Sequence, residues 1–216
     1  MRLPGTSTAI PRRTRTGLQR PVHLATRVPR RGEPALSGFA GPDNNAGLIT
    51  VNDDYSYLFC LVNEPNPNKI DPAEYPVRLK ELLADFGGAA GWIRDHLGGP
   101  DEIHFSPMWA HVMPAPWHDD RVVLIGDAAH STTPHIGYGA GLATEDGIVL
   151  GREVARAATL DDAFATFMAR RFDRCRLVVE GGLQISRWQQ GVDTPPIAAA
   201  QAELTHQIWG QLAQTC

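Results

Sequence analysis

Asp127 is the side chain whose setting most resembles a place for chemistry. It follows the short apolar run Arg121-Val122-Val123-Leu124-Ile125 and Gly126, and it precedes Ala128-Ala129-His130. Such a run predicts a buried strand of an α/β sheet. A strand of that kind delivers the next carboxylate to the sheet's carboxyl end, where α/β proteins bind ligands. Gly126 and the two alanines would let a ligand approach the backbone closely. A carboxylate only accepts hydrogen bonds, so Asp127 suits a polyhydroxyl chain. After a turn-rich loop, Ser131 to Tyr138, Gly139-Ala140-Gly141 opens a helix expected over about 141–157. Its first N–H groups, including that of Leu142, are unobstructed and favour negative charge by ~0.3–1 kcal/mol.

Other side chains carry weaker signals. His130 and His135 have no third ligand at a diagnostic metal spacing, so no metal is expected. Glu145 and Asp146 fall in the first turn of the helix, where acids suit its dipole. Met108, Trp109, His111 and Met113 read as an alternating segment with one face in the core. Arg170, Arg171, Arg174 and Arg176 read as a solvated helix face. The chain has no Ser-His-Asp, Walker or H-E-x-x-H signature.

These residues need elements to hold them. The 216 residues carry a net charge of −4 at a pI near 6.0, which argues against a dedicated nucleic-acid binder. No apolar run approaches the ~20 residues of a membrane span. Cys60, Cys175 and Cys216 form no C-x-x-C pair, which points to a reducing, cytoplasmic setting without disulfides. Residues 1–32 hold eight of the 20 basic side chains and no acid. Residues 1–35 are therefore expected to be a disordered Arg/Pro-rich leader, in which Pro21 to Pro29 alone could supply a strand. Two strands at Gly47 to Val51 and Tyr55 to Val62 follow. Helices are expected from Asp71 to Phe86, over 89–97, over 161–190 with an interruption at Gly181-Gly182, and over 197–213. The domain reading is 36–117 for a strand-rich region with helices and 118–216 for the part bearing Asp127.

The stretch from Arg121 through Leu150, RVVLIGDAAHSTTPHIGYGAGLATEDGIVL, resembles the second flavin-binding motif of the class A flavoprotein monooxygenases, the p-hydroxybenzoate-hydroxylase-like aromatic hydroxylases. The likeness extends over about residues 36–190. It implies an α/β fold: part of a three-layer, Rossmann-like FAD-binding domain, with an adjoining mixed-sheet substrate region and C-terminal helices. It also implies hydroxylation of a small aromatic substrate with FAD, NAD(P)H and dioxygen. By the same resemblance Asp127, beside Gly126, would bind the ribityl chain. Pro134 would lie beside the isoalloxazine, and Gly139, Ala140, Gly141 and Leu142 would present N–H groups to its pyrimidine edge. Trp109 and His111 would line the substrate pocket. The family's G-x-G-x-x-G turn, which holds the FAD pyrophosphate, does not occur in these residues. The expectation is therefore a truncated form. Its missing half would come from a separate chain, or the chain would be a non-catalytic remnant; a homo-oligomer is also allowed.

Overall fold

The computed structural model describes residues 21–40, 45–63, 70–189 and 198–214. They fall into two compact units, divided between Met108 and Trp109.

The first unit is an antiparallel sheet covered on one face by helices. Its strands are β1 (Pro21–Pro29), β2 (Leu36–Ala40), β3 (Asn45–Thr50), β4 (Tyr55–Asn63) and β5 (Ile103–Pro107), in the order β2-β3-β4-β1-β5. Alternation decides the faces. Val22, Leu24, Leu48, Leu58 and Cys60 point into one core with Leu79, Leu83, Phe86 and Ile93. Those last four come from α1 (Tyr75–Leu82), α2 (Gly88–Asp95) and the turn between them. Asp71 starts this helical stretch by accepting the N–H of Ala73 at 2.9 Å, as its cap position predicts.

Two expectations change here. The sheet is antiparallel rather than mixed. Moreover, Pro21–Pro29, the one stretch of the expected leader that could supply a strand, does so: β1 pairs with both β4 and β5, so residues 21–35 do not belong to a disordered leader. Val22, Leu24 and Val28 make it a central strand because their burial outweighs the arginines beside them. Residues 1–20 lie outside the described residues.

The second unit is mainly helical: α3 (Gly139–Arg156), α4 (Leu160–Gln189) and α5 (Ala198–Leu212). Two short ribbons accompany them, β6 (His111–Val112) with β9 (His130–Ser131), and β7 (His118–Asp119) with β8 (Val122–Val123). The strand expected at 121–125 is thus two residues long. Val122 is 56% and Ile125 37% exposed, and among the described residues β8 pairs with β7 alone. An apolar run becomes a buried strand only where neighbours cover it.

The interruption expected at Gly181-Gly182 is absent, and α4 runs unbroken through it. A Cβ on Gly181 would run into the Ile208 side chain of α5, and one on Gly182 would stand 2.9 Å from Thr133 Oγ1. The glycines serve close approach, not a break. Cys60 and Cys175 are buried free thiols.

Candidate flavin-binding loop and its buried charge network

Gly126 turns the chain in a left-handed conformation, φ +56°, and a Cβ there would meet that of Ala143 at 3.2 Å. Only glycine adopts this without strain. Asp127 follows in a short 3-10 turn, Gly126–Ala128, with its carboxylate exposed, while Ala129 is buried. Pro134 is exposed in the next turn, which closes by donation of the Gly137 N–H to the Pro134 carbonyl at 3.0 Å.

At the start of α3 the first intrahelical donor is Leu142 N–H, to the Tyr138 carbonyl at 2.9 Å. The N–H groups of Gly139, Ala140 and Gly141 therefore precede the helical ladder. Tyr138, at the cap position, makes no side-chain cap hydrogen bond. Its ring instead lies where a Cβ on Gly141 would fall, 2.7 Å away, and its hydroxyl donates to Glu145 at 2.9 Å. A carboxylate and a row of helix-start N–H groups are what a ligand with hydroxyls and an electron-rich edge requires.

The glycine turn is held from behind by Asp146. Fully buried, it accepts the Gly126 N–H at 2.9 Å and hydrogen-bonds His130 Nε2 at 2.6 Å through one oxygen. Its other oxygen accepts from Arg171 Nε at 2.7 Å. Arg171, also fully buried, reaches Glu145 at 2.7 Å and the Leu142 carbonyl at 3.2 Å. Arg174 pairs with Glu145 at 2.7 Å and caps α5 through the Gln211 and Leu212 carbonyls.

Glu145 and Asp146 are therefore not dipole ornaments, and Arg171 and Arg174 are not a solvated face. Arg170 also pairs, with the buried Glu153 at 2.6 Å. Arg176 alone of the four fits the expected surface role, beside Asp173 at 3.1 Å and half exposed. Helical spacing assigns a residue to a face, but the partners of Arg170, Arg171 and Arg174 lie 17 to 29 positions away in sequence.

Burial opposes ionisation of both acids, but their hydrogen bonds outweigh it. Those from Arg174, Arg171 and Tyr138 bring Glu145 down to about 2. Those from His130, the Gly126 N–H and Arg171 hold Asp146 below its usual value. His130, Asp146 and Cys175 are ligand types gathered within 4.8 Å. The cation among them is Arg171, which also lies 3.6 Å from Cys175 Sγ, and burial pushes that thiol up to about 12. His135, in the Pro134 loop, bonds Thr133 at 2.8 Å and Gln189 at 3.1 Å. Burial brings it down to about 4, against a smaller upward pull from Gln189.

These shifts predict acid unfolding in two windows. His135 has a folded pKa below its unfolded value, so its contribution is intact above about 6.5 and is lost as pH falls toward about 4. Glu145 is likewise depressed, and its contribution is lost between about 4.5 and about 2; Asp146, also depressed, loses its contribution as pH falls below the ordinary carboxylate range. Melting temperatures measured from pH 8 to 3 should fall in both windows, and His135→Gln should lessen the upper fall alone, of which the likewise depressed His23 keeps a share.

Of the expected pocket residues, Trp109 is 39% exposed and His111 half-buried. β6 pairs His111 with Ser131, and the Ser131 hydroxyl donates to the Trp109 carbonyl at 3.3 Å. Both are thus tied to the segment after Asp127. The expected alternation fails: no strand covers 108–110, and of the four residues Met113 alone is buried.

Residues 78–181 match the family model "FAD binding domain". The chain is 31% identical over 160 residues to an aurachin C monooxygenase/isomerase of Stigmatella aurantiaca, covering 69% of this chain and 39% of that protein. It is 34% identical over 129 residues to a 2-heptyl-3-hydroxy-4(1H)-quinolone synthase of Pseudomonas aeruginosa, covering 58% and 34%. A crystal structure of a Klebsiella pneumoniae HpxO variant complexed with FAD superposes with a TM-score of 0.76 at 25% identity. That match covers 90% of this chain and 53% of the other. The chain thus spans under half the length of the curated relatives it matches. Motif, sequence and fold together identify it as a relative of the class A flavoprotein monooxygenases, part of whose length it matches.

Proposed function

We propose that this chain is the C-terminal part of an FAD-dependent monooxygenase that hydroxylates a small planar aromatic substrate using NAD(P)H and dioxygen. The observation that carries the reading is the glycine turn at Gly126: it presents an exposed Asp127 carboxylate and is clamped by Asp146 to the helix whose first N–H groups, from Gly139 to Gly141, precede the intrahelical ladder. The relatives' names, an aurachin C monooxygenase and a quinolone synthase, favour a planar heteroaromatic substrate.

Asp127 would accept hydrogen bonds from the ribityl hydroxyls. The N–H groups of Gly139, Ala140 and Gly141, with Leu142 behind them, would face the pyrimidine edge and favour negative charge there. Pro134 and its turn would exclude water from the reacting face, and Trp109 and His111 would border the substrate. When bound, the flavin supplies the redox and oxygen chemistry; the protein's share is orientation and shielding. Pyrophosphate contacts would come from sequence outside these residues, in the same polypeptide or in a separate chain. No described helix is long and apolar enough to cross a membrane. The free buried thiols of Cys60 and Cys175 favour a reducing, cytoplasmic setting.

Titration of the purified chain with FAD, followed by flavin fluorescence, tests this reading. Saturable binding weakened about tenfold or more by Asp127→Ala is expected, the worth of one charge-assisted hydrogen bond. Equal affinity of the two proteins would remove Asp127 from the site. No binding by a well-folded chain would eliminate the form that acts without its other half.

A further inference from the structure

One edge of the first unit's sheet carries a row of main-chain groups that is complementary to itself. Among the described residues β2 pairs with β3 alone. The Ala35 carbonyl accepts the Thr50 N–H at 2.9 Å, which sets the alternation of that ladder. Ser37 and Phe39 therefore turn their N–H and C=O groups toward β3. Those of Leu36, Gly38 and Ala40 point away from the sheet.

Nothing within the strand blunts this edge. Exposed edges are usually protected by a charge, a proline or a bulge. Leu36-Ser37-Gly38-Phe39-Ala40 has no charge and no proline, and its register against β3 is unbroken. The opposite edge differs. The Arg30 N–H donates to the Asp54 carbonyl at 2.8 Å, and that alternation, carried across β1 to β5, turns Pro107 outward without an N–H.

Two side-chain observations mark the β2 edge as a place of contact. Leu36 is 67% exposed and lies directly opposite Ile49, with the exposed Val51 two residues further along the chain. Gly38 is the second. Glycine weakens a strand interior and there marks the close approach of another backbone. Gly38 is not left-handed, and a Cβ on it would meet nothing within 4 Å. No contact among the described residues accounts for a glycine at this position.

We propose that β2 is a dimerisation edge, through which two copies of this chain pair antiparallel with their two-fold axis at Gly38. Gly38 exchanges both of its outward hydrogen bonds with its counterpart in the second copy. Leu36 and Ala40 exchange theirs on either side, so every outward group of the strand is satisfied. The sequence selects this register, because prolines stand four residues to either side of Gly38, at positions 34 and 42. An axis at Ser37 would set Ala40 against Pro34, and one at Phe39 would set Leu36 against position 42. Neither proline has an N–H to give. An uncharged row with this internal symmetry fits a second copy of itself better than a charged partner, and the pairing is closed, since each copy has one such edge.

Sedimentation velocity of the full chain tests this from about 1 to about 200 μM, the affinity range of a small interface. A reversible monomer–dimer equilibrium is expected. Gly38→Pro removes the central outward N–H and no bond to β3. Gly38→Lys sets two cations face to face at the axis. Each should weaken dimerisation about tenfold or more, while circular dichroism and melting temperature show that the fold is kept. Cross-linking tests the register in a chain whose Cys216 is replaced by serine. Gly38→Cys should form a disulfide between copies on mild oxidation, since directly opposed residues of such a pair stand about 5.5 Å apart. Leu36→Cys should not, because its two copies lie on opposite sides of the axis. A chain that stays monomeric at about 200 μM overturns the proposal. So does a dimer that both Gly38→Pro and Gly38→Lys leave intact, or one in which Leu36→Cys cross-links as readily as Gly38→Cys.

Discussion

Asp146→Ala is expected to destabilise the protein by about 3–5 kcal/mol, the usual result of breaking a buried ion pair from one side. Three groups lose their partner at once. Arg171, with none of its side chain exposed, keeps Glu145 and the Leu142 carbonyl but loses its 2.7 Å contact. His130 Nε2 and the Gly126 N–H are left without an acceptor in the interior. An orphaned buried polar group costs about 1–3 kcal/mol. Asp146→Asn retains an oxygen for one donor and loses the charge, so it should fall between wild type and alanine. Urea denaturation with an unchanged m-value gives the difference directly. A loss below about 1 kcal/mol for the alanine variant would show that the network relaxes around the gap. Because Asp146 holds Gly126, the same variant should also loosen the turn that presents Asp127.

Trp117→Ala should cost about 3–5 kcal/mol, the range for truncating a large buried aromatic side chain. Trp117 is 1% exposed. Its ring packs 5.4 Å from His130 and 5.6 Å from Phe172, and its indole N–H donates to the Met113 carbonyl at 2.8 Å. Met113 N–H in turn donates to the Ala129 carbonyl at 2.8 Å. The indole therefore fastens the segment from Met113 to Trp117 against the strand that follows Asp127. Trp117→Phe fills much of the volume and loses the hydrogen bond, so a loss of about 1–2 kcal/mol is expected for it. Thermal melts of the three proteins, read by circular dichroism, test the order. Equal stabilities for the alanine and phenylalanine variants would assign the whole effect to the hydrogen bond.

Much of the candidate site was legible because its signals are local. Gly126 before Asp127, and the glycines that open α3, occupy conformations and close approaches set by their immediate neighbours. Their residue types therefore announce them. The boundaries of α3 and α4, the cap at Asp71 and the apolar spacing of Leu79, Leu83 and Phe86 were legible for the same reason.

The misread features depend on partners distant in the chain. Arg171 and Arg174 look like a solvated face until Glu145 and Asp146 are brought opposite them. Gly181 and Gly182 look like helix breakers until α5 and Thr133 arrive at their surface. Residues 21–29 read as a possible strand within a charged leader, and only pairing with β4 and β5 makes that strand central; the run at 121–125 looks buried although Val122 and Ile125 are exposed. Nor does spacing predict that Tyr57 meets His23 across Ala25, which follows from sheet register. Composition and local pattern thus determined the elements, the glycine turn and the candidate flavin-binding carboxylate. The tertiary structure decided which charges are buried and paired, since a charge enters the interior only where folding supplies its counter-charge.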